Sequence, residues 1–305
     1  MGKRTDRNKK KKSWWKILLL VLLLIVVGVG IYIWTVVNDV RDTVNSKMHE
    51  PVESIDRDKV KKKMNDAEPL NILLLGVDAR ENDTGRSDAL MVLTLRPEED
   101  SLQMISIPRD TRTLIVGRGN EDKINHAYAF GGADMAVQTV ENFLDIELDY
   151  YMRINMEGLQ ELVDELGSIT VQNEIEWSDG NYSFTKGPVE MDGQKTMAYV
   201  RMRKQDPNGD FGRTERQRKV IQGIIEKGAS VGNIAKVGEV IDIMGNNMST
   251  SLDFEDMRNL LSDYVNTRKN VTSYQVQGSG ETIGGIYYYI VPEEERSKVH
   301  NMIVN

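Results

Sequence analysis

Residues 17–37 carry no charged side chain, and this run of 21 residues constrains the chain more than any other part of it. As a helix it would extend roughly 31 Å, about the thickness of one hydrocarbon core. Trp14 and Trp15 stand before it, and Tyr32 and Trp34 lie near its far end. Aromatic rings favour those interface positions. Upstream, residues 1–16 hold eight Lys or Arg against Asp6 alone, a local charge of +7. Lys and Arg collect on the cytoplasmic side of a span. The expected organisation is therefore a cytoplasmic segment over 1–16, a transmembrane helix over 17–37, and residues 38–305 outside the cell. A cleaved signal peptide is the competing reading. Its apolar region is normally shorter, and no Ala precedes Ala67 to supply an A-x-A site, although Gly28-Val29-Gly30 is a weak substitute.

The net charge of -8 therefore hides an asymmetry, because everything after residue 16 sums to -15. An acidic body excludes general nucleic-acid binding, which needs net positive surface against phosphates. The absence of Cys removes disulfides, thiolate metal sites and a lipoprotein-type anchor.

Residues 38–69 are charged and mostly polar, and are expected to form a stalk. Beyond Pro69, short continuous apolar runs at 71–77, 89–95 and 102–107 read as buried strands, the last two joined by a turn at Glu98-Glu99-Asp100. Helical spacing recurs over 132–144, 156–166, 211–226 and 254–265, with a strand at 150–154 and further strands at 271–276 and 286–291 around a Gly-rich turn. Interspersed strands and helices predict a single layered α/β domain over 70–305 with a mixed sheet.

Three His, no G-x-S-x-G and no Walker A motif leave nucleophilic-triad and nucleotide-loop chemistry weakly supported. Polar clusters at strand ends offer more. Asp78 closes the first strand and Asp88 opens the second, so the two carboxylates can converge. Mg²⁺ (or Mn²⁺) is held by one or two carboxylates together with substrate phosphate oxygens. Arg80 and Arg86 nearby can neutralise remaining phosphate charge. A polar hairpin with surface ion pairs is the plain alternative. Arg109 and Asp110 follow the third strand at the same expected sheet edge, either as a site or as a structural pair capping the strand. Lys123-Ile124-Asn125-His126 then leads to Gly131-Gly132, an ordinary helix start or an anion-receptive one. The richest cluster is 199–219, where Arg201, Arg203, Lys204, Arg213, Arg216, Arg218 and Lys219 crowd into an otherwise acidic domain. Guanidinium forks suit phosphate, and Arg213 and Arg216, three apart on a helix, are expected to share a face. A solvated charged helix start is the alternative. Two carboxylates, many arginines and a membrane span together fit a pyrophosphate on a membrane lipid.

In this order, Asn71 to Asp78 with Arg80, Arg86-Ser87-Asp88, Ser106 to Asp110, Lys123 to Tyr128 with Gly131-Gly132, and Arg201-x-Arg203 through Asp210-x-x-Arg213 to Arg216-Gln217 resemble the LytR-CpsA-Psr family. The resemblance covers roughly residues 70–220. It implies an α-β-α domain that binds a polyprenyl-pyrophosphate-linked glycopolymer, its lipid tail in an apolar pocket, and joins an anionic polymer such as wall teichoic acid to peptidoglycan through a phosphodiester. Carried over by position, Asp78 and Asp88 match metal-site carboxylates. Arg86, Arg109, Arg201, Arg203, Arg213 and Gln217 match pyrophosphate-binding positions, with Asp210 beside them. Asp88 and Asp210 are both candidates for accepting the attacking hydroxyl's proton. Two rivals stand beside this transferase: a polyprenyl-pyrophosphate hydrolase using water at the same site, and a non-catalytic envelope regulator or scaffold.

Overall fold

The computed structural model describes residues 11–77, 85–228, 240–241 and 244–305. The apolar run lies within one helix, α1 (Lys11–Thr43), continued by a π-helical turn, Val44–Met48. The stretch Leu22–Met48 is the one segment among the described residues long and apolar enough to cross a membrane. Leu23 and Trp34 expose 59% and 64% of their surface, the behaviour of a helix that needs an apolar surround.

Six strands form the central sheet in the order β11-β6-β1-β2-β3-β12. They are β1 (Leu70–Val77), β2 (Ser87–Arg96), β3 (Ser101–Ser106), β6 (Tyr150–Asn155), β11 (Met248–Thr250) and β12 (Asn270–Gln275). β1, β2 and β3 pair antiparallel, whereas β6 joins β1 and β12 joins β3 in parallel, so the sheet is mixed as expected. Side chains alternate across a strand, which explains why the three runs are continuously apolar: both faces are covered. Leu73, Leu75, Leu90, Val92 and Ile105 share one core with Val137, Val140 and Phe143 of α3 (His126–Leu144). The opposite face carries Leu74 and Met91 beneath α4 (Met156–Leu166) and α6 (Asp210–Gly228). The architecture is α-β-α.

Three expectations are corrected. Residues 44–64 do not stand off as a stalk. Val52, Ile55, Val60 and Met64 lie in the main core, the last two on α2 (Arg57–Asn65). Lys63 of α2 bonds the buried Asp149, whose other oxygen accepts from the Asn71 N–H at the start of β1. Apolar residues about one helical turn apart bury one stripe while the charges between them face water. Next, the glycines near 280 do not simply turn between two strands. β12 enters the main sheet, while β13 (Ser279–Ile283) and β14 (Ile286–Ile290) form a separate hairpin turning at Gly284 and Gly285, both at positive φ. Finally, residues 167–201 build an unexpected unit. It comprises β7 (Ile169–Asn173), β8 (Trp177–Ser178), β9 (Ser183–Phe184), β10 (Gly187–Met191) and α5 (Gly193–Arg201) around a second core of Trp177, Phe184, Met191 and Tyr199.

Candidate active site

Strands β1 and β3 end, and β2 begins, at one edge of the sheet. There the register slips: Gly76 pairs with Ala89 but Val77 pairs with Ser87, leaving Asp88 as the extra residue of a bulge. A bulge re-aims the side chain it carries, and Asp88 Oδ1 accepts a hydrogen bond from Arg109 Nη1 at 2.7 Å. Arg109 is placed by the chain leaving β3. Its carbonyl accepts from the Asn125 N–H, and the Ile124 N–H donates to Thr111, tying the segment to the hairpin of β4 (Arg112–Ile115) and β5 (Asn120–Lys123). That hairpin returns Lys123, whose Nζ donates to Asp110 Oδ1 at 2.7 Å. The Asp110 carboxylate also lies 3.7 Å from Arg109 Nε.

The N-terminal turn of α6 completes the cluster. Arg213 Nη2 sits 3.1 Å from Asp210 Oδ1 and Arg203 Nε 3.5 Å from the same atom, near enough for charge attraction but off the angle of a hydrogen bond. Burial opposes the charge on Arg109, yet the hydrogen bond and charge of Asp88, with Asp210 and Asp110, outweigh it and hold the guanidinium above its ordinary value. Arg213 goes the other way. Burial, helped by the like charges of Arg109 and Arg203, draws it below its ordinary value against the pull of Asp210 and Asp88. Four cations therefore meet three carboxylates, and the Nε groups of Arg109 and Arg213 are buried without any acceptor. Desolvated guanidinium donors without acceptors are costly in isolation, and a multiply charged oxyanion would satisfy both.

The expected residues divide. Asp88, Arg109, Lys123, Arg203, Asp210 and Arg213 come together. Asp78 and Arg80 lie outside the described residues. Arg86 is exposed just before β2 and pairs with none of the described residues. Arg201 is exposed and lines a groove beside Arg203. Gln217, one turn beyond Arg213 on α6, lines an apolar cavity of about 40 Å³ between the sheet and helices α4 and α6, with its Oε1 unpartnered.

Arg216 is a correction. It is buried, and it pairs with Asp206 while donating from Nε to the Tyr199 carbonyl and from Nη2 to the Met202 carbonyl. A guanidinium so engaged holds the 202–209 loop and has little left for a ligand. Gly212 makes room for it, since a Cβ there would collide with the Asp206 carboxylate. Of the remaining cations, Lys219 bonds Glu174 and Glu215, Arg218 is buried with its Nη1 on Gln275, and Lys204 lines the groove with Arg201. At Gly131 and Gly132 non-helical backbone breaks α3, so a second helix does start at the expected place. His126 points its Nδ1 at Asp122 Oδ2, 2.9 Å away.

For a divalent cation, the donor chemistry is all oxygen. Among the described residues no three His, Cys, Asp or Glu gather into a protein-only cage. Asp88, with substrate phosphate, fits the few-carboxylate sites that Mg²⁺ accepts.

The profile of the LytR_cpsA_psr family matches residues 35–304. The polyisoprenyl-teichoic acid–peptidoglycan teichoic acid transferase TagU of Bacillus subtilis (strain 168) is 45% identical over 276 residues, 90% of this chain and 89% of that one. Its Halalkalibacterium halodurans counterpart is 45% identical over 278 residues, 90% of each chain. Among solved structures, B. subtilis TagU superimposes with a TM-score of 0.65 at 43% identity, covering 77% of this chain and 95% of that one. TagT bound to LIIa-WTA gives 0.67 at 33% identity, covering 77% and 89%. The chain belongs to the LytR_cpsA_psr family.

Proposed function

We propose that this protein transfers an anionic glycopolymer of the teichoic acid type from a polyprenyl-pyrophosphate carrier to peptidoglycan, forming a phosphodiester. The observation that carries the reading is the Asp88–Arg109–Asp210–Arg213 cluster with its two unsatisfied, buried guanidinium Nε donors, set between an apolar cavity and an open polar groove. The names of the relatives supply the polymer and its acceptor. Helix α1 fits a single membrane anchor, and the basic residues before it favour a cytoplasmic N-terminus with the domain outside.

Phosphoryl transfer needs positioning and charge neutralisation above all. Arg109, Arg203 and Arg213 hold the non-bridging oxygens of the pyrophosphate. A peptidoglycan hydroxyl attacks the glycan-side phosphorus, a P–O bond to the glycopolymer forms at the acceptor oxygen, and the anhydride bond breaks. The electron pair leaves with the prenyl monophosphate. Asp210, whose Oδ1 receives no aligned hydrogen bond, takes the hydroxyl proton. Asp88, with Asp78, would hold Mg²⁺ or Mn²⁺, which neutralises charge on the phosphates. The prenyl tail lies along Leu74, Met91 and Leu159, where the cavity of about 40 Å³ must widen to take it.

The test uses the full-length chain in detergent with a synthetic polyprenyl-pyrophosphate glycan and peptidoglycan oligomers, following prenyl monophosphate. Chelation should stop release and Mg²⁺ restore it, and Asp210→Asn should slow it about a hundredfold or more. Full turnover in excess chelator would remove the metal from the account, and an unimpaired Asp210→Asn would remove the base.

A further inference from the structure

We infer that the groove beyond Arg203, on the far side of α5 from the apolar cavity, is the acceptor site, and that it holds the peptidoglycan glycan strand during attack. This rests on the transfer reading above. The groove encloses about 710 Å³ and is walled by Trp177, Tyr182, Gln160, Gln194, Gln205 and Lys204, with Arg201 and Arg203 at the cluster side. That volume is in the range of sites that enclose small ligands.

The position follows from the chemistry. Attacking and leaving oxygens lie roughly in line on opposite sides of the phosphorus. The departing prenyl phosphate belongs with the apolar cavity, which reaches the cluster through Gln217, one turn beyond Arg213 on α6. The groove reaches the same cluster through Arg203, which pairs with Asp210. Helix α5 is the wall between them: Val200 faces the cavity, whereas Met197 and Arg201 face the groove. An acceptor lying there approaches from the side opposite the leaving group.

The lining suits a glycan. Carboxamides offer donors and acceptors to hydroxyl and acetamido groups, and aromatic rings offer an apolar face with a polar edge. The Trp177 Nε1 donor is buried without a partner, and no described residue bonds the Gln160 side chain. Tyr182 is fixed rather than loose. Its hydroxyl donates to Gln194 Oε1 at 3.1 Å, and its N–H donates to Asp179 Oδ1 at 2.8 Å. Trp177 stacks on Phe184 with ring centroids 4.0 Å apart, making the β8–β9 turn a rigid wall. Arg201 and Lys204 suit the carboxylates of peptide stems. A polyphosphate chain would call for a lining dominated by cations, and here Arg201, Arg203 and Lys204 share the wall with Asp179 and with uncharged carboxamide and aromatic side chains.

The experiment measures initial rates of the full-length chain against the concentration of uncrosslinked peptidoglycan oligomers at saturating donor. It compares wild type with the double variant Tyr182→Ala/Gln160→Ala. The KM for the oligomer should rise about tenfold, the loss of two modest polar contacts. The KM for the donor should stay unchanged. An oligomer KM within twofold of wild type, in a variant whose melting temperature is unchanged, would overturn the assignment. A rise in donor KM alone would give the groove to the donor's own polymer instead. Wild type that forms no linked product would sink the transfer reading itself, which is a different result from either.

Discussion

Arg213 and Arg216 stand three residues apart on α6 and look alike in sequence, yet the structure gives them opposite surroundings. Methionine in place of each keeps the bulk and removes the charge. At Arg216 the pair with Asp206 is almost fully enclosed, the side chains being 5% and 3% exposed, so no discount for solvent screening applies. Removing one partner of such a pair costs about 3–5 kcal/mol, because the other charge stays buried and unpaired. Two carbonyls, of Tyr199 and Met202, also lose a charged donor. With about 4 kcal/mol lost and roughly 2–4 °C per kcal/mol for a domain of this size, Arg216→Met should melt about 8–16 °C lower. Arg213 differs in sign. Its environment draws the guanidinium below its ordinary value, so the folded state disfavours the charge relative to the unfolded chain. Arg213→Met should therefore leave the melting temperature unchanged or slightly raised while abolishing prenyl phosphate release. Differential scanning calorimetry beside the donor-cleavage assay reads both. An Arg216→Met that melts like wild type but no longer binds donor would refute the division, and would return Arg216 to the phosphate site.

Two further outcomes follow from the packing. Gly212→Ala would gain about 1 kcal/mol from helix propensity alone, but its Cβ meets the Asp206 carboxylate, so thermal melts should show a net loss of about 1–3 kcal/mol. Asp149→Ala should cost about 3 kcal/mol in denaturant titrations, since Lys63 and the Asn71 N–H lose their acceptor. Burial pushes the Asp149 carboxyl above 3.8, against Lys63 and Asn71. Between 3.8 and that higher folded value the native state binds more protons than the unfolded chain. Stability from this group therefore grows as pH falls through the window, and Asp149→Ala should flatten the slope.

How much of this was legible beforehand depends on whether a feature is local. Strands β1 to β3 could be read because sheets covered on both faces give unbroken apolar runs, and the meeting of Asp88 with Arg109 followed from polar clusters at neighbouring strand ends. The packing of Val60 and Met64 was hidden by the lysines around them: Lys61, Lys62 and Lys63 make the segment look solvated although one stripe is buried. Arg216 could not be separated from Arg213, because its partner Asp206 lies ten positions back across a loop that only the fold closes. The groove was beyond reach for the same reason. Gln160, Trp177, Tyr182, Gln194 and Lys204 come from five separate elements and loops, and no spacing among them announces a shared wall.

The most direct test of the central claim is the product formed by the full-length chain from a synthetic polyprenyl-pyrophosphate glycan and peptidoglycan oligomers in heavy-oxygen water, weighed by mass spectrometry. The account predicts glycan joined to the oligomer through a phosphodiester that carries no heavy oxygen, with prenyl monophosphate equally unlabelled. Heavy oxygen in a free glycan phosphate, without linked product, would contradict it and make the protein a hydrolase.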